Sequence, residues 1–432
     1  MDSPIERLPD ELLLAIIAYC RGERTSHRTT QKTLRALCCT SRLWHRLATP
    51  ALFEEYAPTD TVHEFAQTIV TRPDLAHHVK TLYWTLTGPE PKAAARSNDD
   101  VVVLALRSYK VDFADRAAAA IQWQHPSTMD EFLDAYLLLI LMYTPNIELL
   151  HVGEGPNSSF VPSVARGWLL PISNRLPHSF RCLKSIKIEG ILFADLEVLL
   201  GLPSLHALKG STRFTAWPSV SLSWACPPIV STLQELVLSP VTFKESELVA
   251  FIEACQELRK FVYCPERSWR FGFCTVRPFV LKAALDKHAP SLRELDIQTC
   301  SASRSLQVGN EAMKIDTFAP YRQLRRLIFP VWPLIPLNPD LFVHQLPPNL
   351  ETLSLDEVCH ENFGDSGRRA LESLLLAPHS SLRNVNVMYL DPDFTETPSF
   401  IYGKNLRKDF GEKNIALRIW HADSDSRERA HD

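Results

Sequence analysis

The residues able to do chemistry are scattered through this chain without the spacings that catalysis needs. Ten cysteines occur, but no C-x-x-C, and the adjacent pair Cys38–Cys39 lies in an apolar helical stretch. No His/Cys set has zinc spacing. Free buried thiols in a reducing compartment are the reading for such cysteines. GEGPNSS at 153–159 has two glycines but lacks the following lysine and helix of a phosphate loop, so it reads as a turn. G-x-S-x-G, H-E-x-x-H and a kinase-like set do not occur. His77–His78 is a polar pair before a strand, and no nucleophile is paired with a base. The expectation is a non-catalytic protein without a metal or cofactor.

Composition points the same way. The chain has 432 residues, 45% hydrophobic and 22% charged, the balance of a folded protein. With 46 basic and 50 acidic residues it carries a net charge of -4, which gives no general electrostatic case for nucleic acid or an anionic membrane. Glycine is scarce at 14 and proline plentiful at 31, which suits many short connections. No signal peptide is visible, and the most apolar run, AYLLLILMY at 135–143, falls short of the ~20 residues that span a bilayer. Cytoplasm or nucleus is expected, and the sequon at Asn157 reads as accidental.

The elements that stand out first are N-terminal. In LPDELLLAIIAYC (8–20), Pro9 suits a first helical turn and Asp10 and Glu11 the positive end of the helix dipole. Leu12, Leu13, Ile16 and Ile17 then recur at helical spacing. After a polar break at 21–31, a second helix is expected over about 32–44, with Leu34, Leu37, Cys38 and Leu43 apolar. A third segment follows at 46–56, interrupted by Pro50. Three short helices in about fifty residues enclose little core, and such a unit is marginal below ~60 residues unless a partner covers it.

These segments, LPDELLLAIIAY followed by TLRALCCTSRLWHRLATPALF, resemble the F-box, especially its fungal form. Leu8, Pro9, Glu11, Leu12, Ile16, Leu34, Leu37, Ser41, Arg42, Trp44, Leu47, Pro50, Leu52 and Phe53 stand where that family has matching residues; the intervening turn is longer than usual. The resemblance covers about 50 residues. It implies docking on a Skp-family adaptor and, through it, on a cullin–RING ubiquitin ligase. The implied adaptor contacts are Leu8, Pro9, Leu12, Ile16, Leu34, Leu37 and Trp44. Packing within the three-helix unit is the competing role for each.

From about residue 75 a phrase of the type L-x-x-L-x-L recurs ten times. Its middle residues are Leu82, Leu150, Ile186, Leu208, Leu236, Phe261, Leu295, Leu327, Leu353 and Val385. After a first gap of 68 residues they are 22–36 residues apart. Helical stretches lie between, at 130–143, 193–202, 245–256, 277–288 and 367–378. Strand-plus-helix units of this kind bury a continuous core by stacking. They resemble the irregular leucine-rich repeats found behind many F-boxes, although that family's Asn/Cys ladder position is filled convincingly only by Cys300. An ordinary α/β domain with a mostly parallel sheet is the competing architecture. The expected fold class is therefore α/β: a small three-helix F-box over 1–57 and an irregular leucine-rich-repeat solenoid with parallel strands on its concave face over 58–420. An exposed loop is expected near 86–100, a final strand and cap within 400–420, and a disordered tail over 421–432.

Alternation along the strands predicts a lane facing away from the core: Tyr83, His151, Lys187, Lys209, Val237, Val262, Asp296, Ile328, Ser354 and Asn386. Val237, Val262, Asp296 and Ile328 form an apolar stretch with one acid, a candidate site for an unknown protein substrate. Trp269 and Trp332, in aromatic-rich connections with Trp217, Trp224, Phe271 and Phe273, are a second candidate. Two other functions fit the same residues. One is an interaction scaffold without any ubiquitin-ligase role; the other is an α/β enzyme with an N-terminal helical extension.

Overall fold

The computed structural model describes residues 4–21, 27–57, 62–85, 136–137, 139–153, 180–189, 199–211, 231–241, 244–265, 276–298, 315, 317–330, 334, 341–358, 360–376, 381–389 and 403–421. The protein is α/β, every strand pairing described is parallel, and it divides into two compact units, Met1–Leu205 and His206–Asp432.

The first unit opens with α1 (Asp10–Cys20), α2 (His27–Cys38) and α3 (Arg42–Glu54). The division between α2 and α3 corrects the expected boundaries. His27–Gln31 is already helical, and the break falls at 39–41. Hydroxyl side chains make that break: Thr40 Oγ1 donates to the Leu37 carbonyl at 2.7 Å, and Ser41 Oγ accepts from the Trp44 N–H at 3.4 Å. Pro50 does not interrupt α3. Its missing N–H costs one helical bond, yet Leu47, Ala48, Ala51 and Leu52 hold both sides of the helix against the core. Pro9 sits just ahead of α1, at the cap position rather than inside the first turn.

Next come β1 (Glu55–Tyr56), α4 (Val62–Thr71), α5 (Pro73–Ala76), β2 (Thr81–Thr85), β3 (Leu149–Gly153) and β4 (Ser185–Glu189). These strands pair in chain order, with Tyr56, Leu82, Leu150 and Ile186 side by side.

The second unit contains β5 (Ala207–Ser211), β6 (Glu235–Val241), α6 (Glu245–Ala254), β7 (Lys260–Pro265), α7 (Pro278–Leu285) and β8 (Glu294–Ile297). It continues with β9 (Arg326–Pro330), α8 (Phe342–Gln345), β10 (Thr352–Val358), α9 (His360–Leu376), β11 (Asn384–Tyr389), α10 (Gly403–Glu412) and β12 (Ala416–His421). Pairing again follows chain order, and Leu208, Leu236, Phe261, Leu295, Leu327, Leu353, Val385 and Leu417 form one row.

All ten phrases thus contain strands, and their middle residues, from Leu82 to Val385, are buried in the core. Leu183, Leu205, Leu233, Leu258, Leu292, Leu324, Leu350 and Leu382, which open eight of the phrases, are all buried. Within each unit a repeated backbone bond links one strand entrance to the next. The carbonyl just before a strand accepts two N–H groups from the following phrase. Gln234 accepts from Arg259 (2.8 Å) and Lys260 (3.0 Å), Arg259 from Arg293 and Glu294, and Arg325 from Glu351 and Thr352. The same device operates in the first unit, where Glu148 accepts from Lys184 and Ser185. One peptide group at each of these entrances therefore satisfies two donors that would otherwise be orphaned, while the Glu54 and Arg383 carbonyls take one each.

His288 is a second fastener. It is buried, its Nδ1 accepts from the Leu258 N–H at 3.3 Å, and its Nε2 reaches the Ile252 carbonyl at 3.1 Å. It ties the end of α6 to the entrance of β7, and burial pushes its pKa below the ordinary imidazole value.

Among the described residues, no helix is long and apolar enough to cross a membrane. The expected loop near 86–100, the Cys300 position and most of the tail lie outside the described residues.

Candidate docking surfaces

The helical module buries Leu13 and Ile17 of α1 against Leu34, Trp44 and Ala48, with Ile16, Leu37, Cys38, Leu43 and Leu47 packed around them. This separates the expected adaptor residues into two groups. Leu34 and Trp44 are buried in the core of the module, so packing within the three-helix unit is the role that their positions display. Leu37 and Ile16 are half-buried, and Leu8, Pro9 and Leu12 are exposed. The core face of α1 is the Leu13/Ile17 pair, which leaves Leu12, Ile16 and Tyr19, spaced i, i+4, i+7, on another face. Leu12 is 52% exposed and Tyr19 87%.

Seven large apolar side chains are exposed among the described residues. Five of them, Ile5, Leu8, Leu12, Leu14 and Tyr19, fall within the first nineteen positions. The Leu8 N–H donates to the Ile5 carbonyl at 3.2 Å, so these two share one turn just before α1. Tyr19 and Ile5 are absent from the sequence-derived contact set, although both extend the stripe by a helical step of three. Arg46 and Asp10 bridge α3 to the start of α1 at 2.8 Å, an exposed pair that orients the helix and contributes little stability.

In the second unit the pairing register places the expected lane in one row: Lys209, Val237, Val262, Asp296, Ile328, Ser354 and Asn386, continued by Arg418. Its centre is not exposed as expected. Val262 is 8% and Asp296 5% exposed, while Val237 and Ile328 are half-buried. Alternation predicts which way a side chain points, but not what covers it, and two of the four residues are unreachable without displacement of their cover.

Asp296 has the most altered chemistry in the lane. Burial first, and then the Asp356 carboxylate, push its pKa up to about 7, against smaller opposing effects of Gln298, Arg326 and Lys260. Gln298 Nε2 donates to its Oδ1 at 3.3 Å, and the Gln298 Oε1 accepts from Cys264 Sγ at 3.2 Å. A carboxyl that exchanges its proton near neutrality can donate or accept a hydrogen bond. Its neighbours include the Asp356 carboxylate, the Gln298 amide and, through that amide, the Cys264 thiol. Cys255, buried at the C-terminal cap of α6, has its thiol pushed up to about 12 by burial, which disfavours the reactive thiolate. Among the described residues no group of three or more His, Cys, Asp or Glu side chains is placed to hold a metal. Trp269 and Trp332 lie outside the described residues.

No family model matches the chain, and a search of curated proteins finds none similar to it.

Proposed function

We propose that this protein is a substrate receptor of F-box type. It docks a Skp-family adaptor through the N-terminal helices, presents a protein substrate through a leucine-rich-repeat solenoid, and leaves ubiquitin transfer to a cullin–RING partner in the cytoplasm or nucleus. The observation that supports this most is the concentration of exposed apolar side chains at Ile5, Leu8, Leu12, Leu14 and Tyr19. Fully burying a side chain of this size is worth roughly 1.5–3 kcal/mol, so leaving five in water on one short module favours a protein that covers them. Leu12, Ile16 and Tyr19 share one face of α1 with the i, i+4, i+7 spacing that suits a helix-in-groove interface, while Leu14 lies on the opposite flank of the helix. The F-box motif residues supply the identity of the groove. The buried Leu34 and Trp44 act in this reading by shaping the module, and the exposed residues make the contact.

The test is a pull-down of the Skp-family adaptor with the intact chain and with Leu8→Ala/Leu12→Ala. The expected result is capture by the intact chain and at least a tenfold loss in the variant, with an unchanged melting temperature. Failure of the intact chain to capture the adaptor would remove the receptor reading. Ubiquitination of a bound partner in the reconstituted assembly separates a receptor from a scaffold that merely shares the docking face.

A further inference from the structure

The residues that supply the repeated carbonyl at each strand entrance form a row of their own. In the first unit it runs Glu54, Lys80, Glu148, Lys184, joined by backbone bonds from each N–H to the preceding carbonyl. Signs alternate, and the row neutralises itself: Lys80 meets Glu54 at 3.5 Å and Lys184 meets Glu148 at 2.6 Å. In the second unit the corresponding row runs His206, Gln234, Arg259, Arg293, Arg325, Glu351, Arg383, linked in the same way at 2.8–2.9 Å. Four cations share it with one acid. Arg325 pairs with Glu351 at 3.5 Å, and Arg259 with Glu257 at 3.2 Å. The acid next to Arg293, Glu294, is already held by Lys260 at 2.8 Å. Arg293 and Arg383 are exposed and form no ion pair among the described residues, and the same holds for Arg322 in the turn before β9.

Like charges on neighbouring strands repel and destabilise the pairing. The first unit avoids that cost at the same structural position. The second accepts it, in a chain whose net charge is -4. We infer that the strand entrances of the second unit are a docking surface for an extended, carboxylate-rich segment of a protein partner. Arg293 and Arg383 stand three strands apart, about 14 Å at the usual spacing between strands. An extended peptide covers that distance in about four residues, which places acidic side chains at i and i+4 on the same side, opposite the two free guanidinium groups. Glu235, Glu257, Glu294 and Glu351 lie among the cations. They would repel the unbroken phosphate chain of a nucleic acid, whereas a peptide with separated carboxylates can pass between them. Naming this segment as part of a ubiquitination substrate rests on the receptor reading above; the surface itself does not.

The experiment is fluorescence anisotropy of a labelled twelve-residue peptide with glutamates at i, i+4 and i+8, titrated with the full chain at low and physiological salt. A peptide with glutamines at those positions and a single-stranded oligonucleotide of equal charge serve as controls. The expected result is binding that weakens with salt, falls at least tenfold in Arg293→Gln/Arg383→Gln, and is kept within threefold by Arg293→Lys/Arg383→Lys. The glutamine-for-arginine variant should melt no lower than the parent, because repulsion is relieved. Equal binding by that variant, equal binding of the glutamine peptide, loss in the lysine variant, or tighter binding of the oligonucleotide would each overturn the inference. Adaptor capture, measured in parallel, is expected to be unaffected by the arginine variants. Failure of adaptor capture alone would leave the surface standing, and failure of peptide binding alone would leave the receptor reading standing.

Discussion

The helical module and the strand repeats solve the same problem to different degrees. In the repeats, every leucine that opens a described phrase in the second unit is buried, and each strand finds its partners in the next. In the module, α1 sends Leu13 and Ile17 inward and leaves Leu12, Leu14 and Tyr19 in water. Both regions carry leucine-rich sequences of similar density. A strand in a parallel array can be covered on its core face by stacked helices, whereas three short helices have too few neighbours to cover all of α1. Excess apolar surface on the module is therefore a consequence of size as well as a basis for docking.

The largest effect is expected in the core of the repeats. Leu295→Ala, at the centre of the inward row, is expected to destabilise the protein by about 2–5 kcal/mol. Denaturant unfolding measures it, and a loss below about 1 kcal/mol would mean that the row is not a tightly packed core.

A smaller effect of opposite sign is expected at Asp296. Its folded pKa of about 7 lies above the value near 3.9 of an unfolded aspartate. The folded state therefore holds the proton more tightly, and this contribution to stability is full below pH ~4 and is lost as pH rises through about 7. Asp296→Asn removes that loss. We expect it to stabilise the protein by an amount on the order of 1–3 kcal/mol above pH 8 and to have little effect near pH 4. Thermal melts of both proteins across that range would show parallel curves if the carboxyl were not buried as charge.

The smallest effect is expected on the exposed face of α1. Leu12→Ala should change stability by no more than about 0.5 kcal/mol, since the side chain is half in water already and surface substitutions seldom do more. A cost comparable with that of Leu295→Ala would show that Leu12 belongs to the module's core and would withdraw it from the docking stripe.

Much of the fold was legible in the sequence because it depends on local repetition. The period-2 phrases located ten strands, and the helices at 245–254 and 278–285 follow from their apolar spacing and Pro278. The candidate surfaces were only partly legible. Leu34 and Trp44 belong to the same motif as Leu8 and Leu12, and only packing distinguishes the pair that makes the core from the pair that faces outward. Val262 and Asp296 occupy outward positions in the alternation, yet they are covered.

The chain alone places the strands and most of the helices, because hydrophobic period and turn chemistry act over a few residues; the α2/α3 boundary and the continuity of α3 through Pro50 needed the packed module. It also determined that the inward leucines align, since a phrase of fixed pattern leaves one register that buries them all. The tertiary structure decided which apolar residues of α1 stay in water, which carbonyls bind two donors, and that Arg259, Arg293, Arg325 and Arg383 stand in one row. Those arginines are 32–58 residues apart in the chain. Their adjacency is created by the stacking of strands, and a charge that is dilute along the sequence becomes concentrated only when the sheet forms.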